Sequence, residues 1–153
     1  MSFTSAPSTL NADIAVIGRG AIGATAALAM ARMGKRVALV GPSASDMSQP
    51  PPGLDNRVFA LSAVAVDLLR ELGVWQVLDT RRINPVHRMR VWPSALPDAP
   101  ALEFDAHEAA LDELACIVEG SELSRALDQA LRFSPVQIVD AALEQSDLSS
   151  ASH

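Results

Sequence analysis

Residues 12 to 40 commit the chain to an α/β fold, because two apolar runs, a glycine motif and an alanine-rich run follow one another in βαβ order. Ala12-Asp13-Ile14-Ala15-Val16-Ile17 is short, mostly apolar and rich in β-branched side chains, and glycine closes it, as for a buried strand of a parallel sheet. Ala21 to Met33 is rich in alanine and carries Leu28, Met30 and Met33, which predicts a helix with Gly34 as its stop. Arg36-Val37-Ala38-Leu39-Val40 predicts a second buried strand. Such a unit closes with a right-handed crossover. Between strand and helix, Gly18-Arg19-Gly20-Ala21-Ile22-Gly23 fits G-x-G-x-x-G in the context that gives the pattern its meaning. Gly18 permits the tight turn, Gly20 lets backbone approach a pyrophosphate, and Gly23 allows close helix–strand packing. The first-turn amides, including those of Ala21 and Ile22, and the helix dipole then face the anion. The candidate cofactor-binding residues are therefore Gly18, Gly20, Ala21, Ile22 and Gly23; the plainer reading is a glycine-rich turn without a ligand.

The next element of a dinucleotide site is absent. An Asp or Glu at the end of the second strand normally binds the adenosine ribose, whereas this chain has Gly41 followed by Pro42. Neither an acid for a free 2′-hydroxyl nor an arginine for a 2′-phosphate stands there, and Asp46 reads as a solvated loop carboxylate. Residues 41 to 54, with Pro50-Pro51-Pro52-Gly53, form a long loop. Leu61, Val64, Leu68, Leu69 and Leu72 then recur at helical spacing, with Ser62 as N-cap and Gly73 as C-cap. Arg88 to Trp92 and Ala101 to Asp105 alternate as half-buried strands, and the Pro93 to Pro100 stretch joins them as an antiparallel pair. Ser121 to Arg132 is an amphipathic helix with Ser121 as candidate cap, and Val136 to Val139 is a third strand. The domain expected from this pattern is residues 12–140, between a loose tail at 1–11 and a polar tail at 141–153.

Composition removes several function classes. With 153 residues and 49% hydrophobic side chains the chain can bury a real core. A net charge of −6 and a pI near 4.9 argue against nucleic acid as a partner. No run reaches the roughly 20 apolar residues of a transmembrane helix, and residues 1–11 do not read as a signal peptide. Cys116 is the single cysteine, so no internal disulfide forms and a cytoplasmic home is expected, with peripheral attachment to an inner membrane left open. Its neighbours Leu114, Ala115, Ile117 and Val118 make it a buried structural thiol with a raised pKa. His107-Glu108 is not H-E-x-x-H, since Leu111 stands where the second histidine would be, and no metal site is expected. Glu103, Asp105, Glu108, Asp112 and Glu113 read as a solvated acidic face, Arg81, Arg82, Arg88 and Arg90 as exposed charge, and Trp75 and Trp92 as core or boundary residues. No catalytic residue is assigned.

A second set of motifs follows the long loop. Asp55-Asn56-Arg57, with Val58-Phe59-Ala60-Leu61-Ser62, resembles the D-x-R-x-x-A-L-S element of the ubiquinone-biosynthesis hydroxylases, FAD-dependent aromatic monooxygenases of the para-hydroxybenzoate hydroxylase type. Leu68-Leu69 with Leu72-Gly73-Val74-Trp75 resembles their L-L-x-x-L-G-x-W segment. Met89 with Val91-Trp92, Phe104-Asp105-Ala106 with Glu108, and Ile117-Val118-Glu119 with Leu123, Ala126 and Leu127 continue the match in order. The resemblance runs from about Asp13 to Asp140.

It implies a Rossmann-like FAD-binding βαβ core with part of a β-rich substrate region, an incomplete version of the family's fold. It implies FAD as cofactor, with Arg57 contacting it as an addition to the glycine loop, although an arginine there also suits a surface salt bridge. It further implies NAD(P)H as electron donor, oxygen as co-substrate and a polyprenyl-phenol ring as substrate, with the protein orienting the reactants and excluding water. Family members continue to a G-D motif that closes over the flavin, and this sequence has no G-D dipeptide. Gly120-Ser121 stands where many relatives carry Asn-Arg. The expectation is the N-terminal part of such a hydroxylase, binding FAD weakly and inactive alone. The alternatives are a non-catalytic remnant that docks onto other ubiquinone-biosynthesis proteins, or a generic NAD(P)-binding Rossmann domain.

Overall fold

The computed structural model describes residues 11–42, 57–92 and 101–140. Asp46, the Pro50–Gly53 run, Asp55, Asn56, the loop after Trp92 and both expected tails, save Asn11, lie outside the described residues. The elements in chain order are β1 (Ile14–Ile17), α1 (Ala21–Arg32), β2 (Val37–Gly41), β3 (Val58–Leu61), α2 (Ala63–Glu71), β4 (Ile83–Val86), β5 (Arg88–Val91), β6 (Leu102–Asp105), β7 (Ala115–Glu119), α3 (Gly120–Arg132) and β8 (Gln137–Asp140). Short 3₁₀ turns at Trp75–Val77 and Thr80–Arg82 lie between α2 and β4. The chain divides into two compact units, Met1–Gln49 with Leu131–His153, and Pro50–Ala130.

The first unit is the expected βαβ core plus the third strand. Its sheet is all parallel in the order β1-β2-β8, with Ile14 opposite Val37 and Ile17 opposite Val40, then Ala38 opposite Gln137 and Gly41 opposite Asp140. The central strand is the most buried: Val37, Ala38 and Leu39 are almost wholly removed from solvent. Helix α1 packs on β1 and β2 and buries Ala24, Ala27 and Leu28, a narrow stripe of mostly small side chains that lets helix and sheet approach closely. Gly34 follows α1 with φ +80°, the left-handed stop its position predicts.

The ends of this sheet are fastened by charge. Asp13 N donates to Arg36 O at 2.8 Å, Arg36 N returns a bond to Asp13 Oδ2 at 2.9 Å, and Arg36 Nη2 donates to Asp13 Oδ1 at 2.6 Å. The residues just before β1 and β2 are thereby tied side chain to side chain as well as through the backbone.

In the second unit β7 is the central strand of an antiparallel sheet, β3-β7-β4, with Phe59 opposite Val118 and Asn84 opposite Ile117. None of these three strands follows from the sequence patterns above. Leu61 continues the helical spacing of the residues after it, yet it ends β3; Ser62 then caps α2, its hydroxyl accepting from Ala65 N at 3.4 Å. Pro85 conceals β4, and it is tolerated because β4 is an edge strand that needs only one side of its ladder. Helix α2 packs on β3 and β7 through Val66 and Leu69, and Gly73, at φ +74°, turns the chain so that Val74 is buried.

Strands β5 and β6 pair antiparallel as expected, Arg88 with Asp105, Met89 with Phe104, Arg90 with Glu103 and Val91 with Leu102. The pairing sorts charge onto one face and apolar side chains onto the other, but the expected half-burial is corrected: all four apolar side chains are 44–59% exposed among the described residues. Trp92 is likewise exposed rather than core or boundary, whereas Trp75 is half-buried with the Arg70 guanidinium 5.5 Å from its ring centroid. Helix α3 begins at Gly120, one residue before the expected cap Ser121, and buries Leu123, Ala126, Leu127 and Leu131.

The Arg36 hydrogen bonds hold the Asp13 carboxyl at about 2, against an ordinary value of 3.8. A carboxylate depressed on folding stabilises fully above its unfolded value and loses that contribution as pH falls through its folded one. Asp13→Asn is therefore expected to flatten the stability-versus-pH curve between about pH 4 and pH 2 in urea titrations, with no change in its shape near neutrality.

Candidate functional site

The glycine motif lies between the C-terminal end of β1 and the start of α1, where ligands of open parallel sheets bind. Gly18 adopts φ +102°, a left-handed conformation closed to most side chains, and its N–H donates to Val40 O at 2.7 Å, tying the turn to the end of β2. Gly20 is the N-cap of α1; it supplies no side-chain cap, and the first helical turn contains no acidic residue. The leading N–H groups of α1 are thus not capped by a side chain of Gly20 and the positive end of the helix has no counter-charge of its own. Among the described residues a Cβ at Gly18 or Gly20 would meet nothing within 4 Å, so the turn presents open space to them. A Cβ at Gly23 would lie 1.9 Å from Gly18 O and 3.0 Å from Gly18 C, so the helix start rests directly on the turn. Ala21 is half-buried and Ile22 points its side chain into solvent, leaving the backbone as the recognising surface of both. An open turn with forward-facing amides and no local acid fits an anionic diphosphate.

The end of β2 carries no acid, as the sequence indicates, but its surroundings were not legible there. A Cβ at Gly41 would stand 3.0 Å from both Arg19 Cγ and Arg19 N. The Arg19 side chain, only 14% exposed, crosses Gly41 and forms an ion pair with Asp140, whose carboxylate is 65% exposed. Asp140 is the register partner of Gly41 on β8, although the two residues are far apart in the chain. No short-range pattern signals such a pair; only the order of strands does.

Arg57 belongs to the second unit, where it precedes β3, is exposed, and accepts a hydrogen bond at its carbonyl from Gly120 N at 2.7 Å. Within that unit the charged residues fasten the fold. Glu122 is buried and was not singled out by sequence; it accepts from Arg125 Nη2 at 2.7 Å and from Asp79 N at 2.8 Å, and chiefly the Arg125 hydrogen bonds hold its carboxyl below the usual range. Arg81 pairs with Asp79, Arg82 with Glu119, Arg88 with Asp105 and Arg90 with Glu103, so the basic cluster is a set of local clasps. Cys116 is buried on β7 and donates to Glu113 Oε1 at 3.0 Å; burial, aided by that carboxylate, pushes the thiol up to about 11. No helix among the described residues is long and apolar enough to cross a membrane.

Gly23→Ala must separate α1 from the turn, and a loss of about 1–3 kcal/mol in urea unfolding is expected. The Cys116 thiol is expected to react with a disulfide reagent at pH 8 at least about tenfold more slowly in the native protein than in guanidinium, where its pKa returns to the ordinary value.

No family model matches the sequence. Among curated proteins the chain is 36% identical over 128 residues to the 3-demethoxyubiquinol 3-hydroxylase of Escherichia coli, covering 80% of this chain and 31% of that protein. It is 30% identical over 145 residues to the mitochondrial ubiquinone biosynthesis monooxygenase COQ6 of Drosophila melanogaster, covering 91% and 30%. The chain thus spans about a third of the length of these relatives. Among solved structures it is similar to PqsL of Pseudomonas aeruginosa, described as a probable FAD-dependent monooxygenase, at 20% identity and TM-score 0.56 over 84% of this chain and 32% of that one. It is similar in the same way to p-nitrophenol 4-monooxygenase of Pseudomonas putida, at 17% identity and TM-score 0.54 over 82% and 30%. The solved structures establish the fold, a mixed α/β arrangement with a Rossmann-like core, and the curated relatives the lineage. Over about a third of their length, the chain is a sequence relative of the ubiquinone-biosynthesis hydroxylases.

Proposed function

We propose that the chain contributes the ADP-binding side of the FAD site in an aromatic-ring hydroxylase of ubiquinone biosynthesis. The observation that carries this reading is the glycine turn itself: a left-handed Gly18, open space in front of Gly18 and Gly20 among the described residues, and an amino end of α1 whose N-cap residue has no side chain, all at the end of a parallel strand. The names of the curated relatives support the pathway, and the description of PqsL supports FAD.

In this reading the amides of Gly20, Ala21, Ile22 and Gly23 hold the diphosphate, and Gly18 keeps the turn clear of it. The D-x-R resemblance makes Arg57, in the second unit, a further candidate cofactor contact. Bound FAD supplies the redox chemistry, taking electrons from a nicotinamide donor and activating oxygen. The substrate is an electron-rich polyprenyl-phenol ring, and its apolar tail favours a protein that works against a membrane surface. The glycine turn by itself would hold the diphosphate end of FAD and shield little of the rest, so affinity is modest and hydroxylation by these residues alone is not expected.

Titrating FAD with the purified chain while following flavin fluorescence tests the reading. A saturable change in intensity or anisotropy is expected, weakened by Gly20→Val, which places a side chain in the open space before the turn. An unchanged flavin signal up to high micromolar protein overturns it.

A further inference from the structure

Gly41 occupies the place at which a Rossmann site presents its ribose-binding carboxylate, and the geometry around it explains how a glycine can stand there. Strands β2 and β8 are parallel neighbours, and Gly41 and Asp140 are opposite each other at their C-terminal ends. Asp140 therefore sits about one strand spacing, about 4.8 Å, from the usual position of the acid, at the same height on the sheet. Arg19, inside the glycine motif, lies across Gly41 and grips the Asp140 carboxylate. A Cβ at position 41 would stand 3.0 Å from Arg19 Cγ and N, tighter than ordinary contact, so the close approach of Arg19 favours a glycine there. The guanidinium is largely enclosed, whereas the carboxylate is 65% exposed and so keeps oxygen lone pairs available to a ligand.

We propose that Asp140, held by Arg19 over Gly41, is the ribose-recognising carboxylate of this chain, delivered from β8 in place of an acid on β2. The proposal rests on the FAD reading above and specifies its adenosine end. A carboxylate there accepts hydrogen bonds from the free ribose hydroxyls and repels a 2′-phosphate. Arg19 does not serve that phosphate, because its charge is already met by Asp140. Arg19 is accordingly a positioning residue: it fixes the direction of the carboxylate and places its own backbone beside the end of β2.

The test compares ADP with 2′-deoxy-ADP as competitors of FAD in the fluorescence titration. These nucleotides differ only in the hydroxyl at issue, and a merely structural role for Asp140 would weaken both equally. The wild-type chain is expected to prefer ADP by about tenfold, in keeping with a hydrogen bond to a charged acceptor. In Asp140→Asn that preference is expected to fall to about twofold or less, with FAD itself bound about tenfold more weakly. Arg19→Met, which keeps a stem packed on Gly41 but releases the carboxylate, is expected to lose the same preference and carries the test if Asp140→Asn does not fold. If the wild-type chain binds FAD and both variants keep its full preference for ADP, the assignment of Asp140 is overturned while the FAD reading stands. If the wild-type chain binds neither FAD nor ADP, the FAD reading fails and this assignment fails with it.

Discussion

The seat of α1 on the Gly18 carbonyl is the contact from which the rest of the first unit follows. At 1.9 Å from a would-be Cβ, Gly23 leaves no room for any other residue, and the helix start is pressed against the turn that precedes it. The Gly18 N–H is spent on Val40 O, which fixes the turn against β2 and sets its left-handed backbone. With both held, the amides at the head of α1 have a defined direction, and Arg19 is delivered to the end of β2. The sheet beneath is rigid because its central strand is almost completely buried. A displaced helix would lose the aim of the amides and the position of Arg19 together.

Charge plays two separate roles in this protein. The chain is acidic by six charges, yet the place suited to an anion owes its polarity to backbone, with no acid in the first turn of α1. The arginine side chains act at short range instead: Arg36 joins the starts of β1 and β2, Arg82 meets Glu119, and Arg125 satisfies the buried Glu122. Exposed pairs of this kind contribute little each, so their value lies in fixing register and direction rather than in bulk stability. The Glu122 carboxylate differs, because a buried charge without Arg125 and the Asp79 amide would be strongly unfavourable.

Much of the first unit was legible in the sequence because its signals are local. A strand, a glycine turn, an alanine-rich helix and a second strand each announce themselves within a few residues, and Ser62 and the β5–β6 alternation do the same in the second unit. Strands β3, β4 and β7 lack a local signal of their own. Leu61 shares the helical spacing of α2 and Pro85 breaks the pattern of β4. The run Ala115–Glu119 reads as a buried apolar stretch whose partners lie far away in the chain. The exposure of Met89, Val91, Leu102 and Phe104 was hidden for the converse reason: alternation shows that a strand has two faces, not that one of them is covered.

The amino-acid order by itself determined that the chain opens as a βαβ unit with a phosphate-type turn, since a left-handed glycine and a side-chain-free helix start are requirements of backbone geometry at single positions. It also carried the family likeness, motif after motif. Only the tertiary structure decided that Asp140 stands opposite Gly41 and that Arg19 lies between them, because parallel neighbours in a sheet are set by strand order and by burial of β2, and neither is written near any of the three residues.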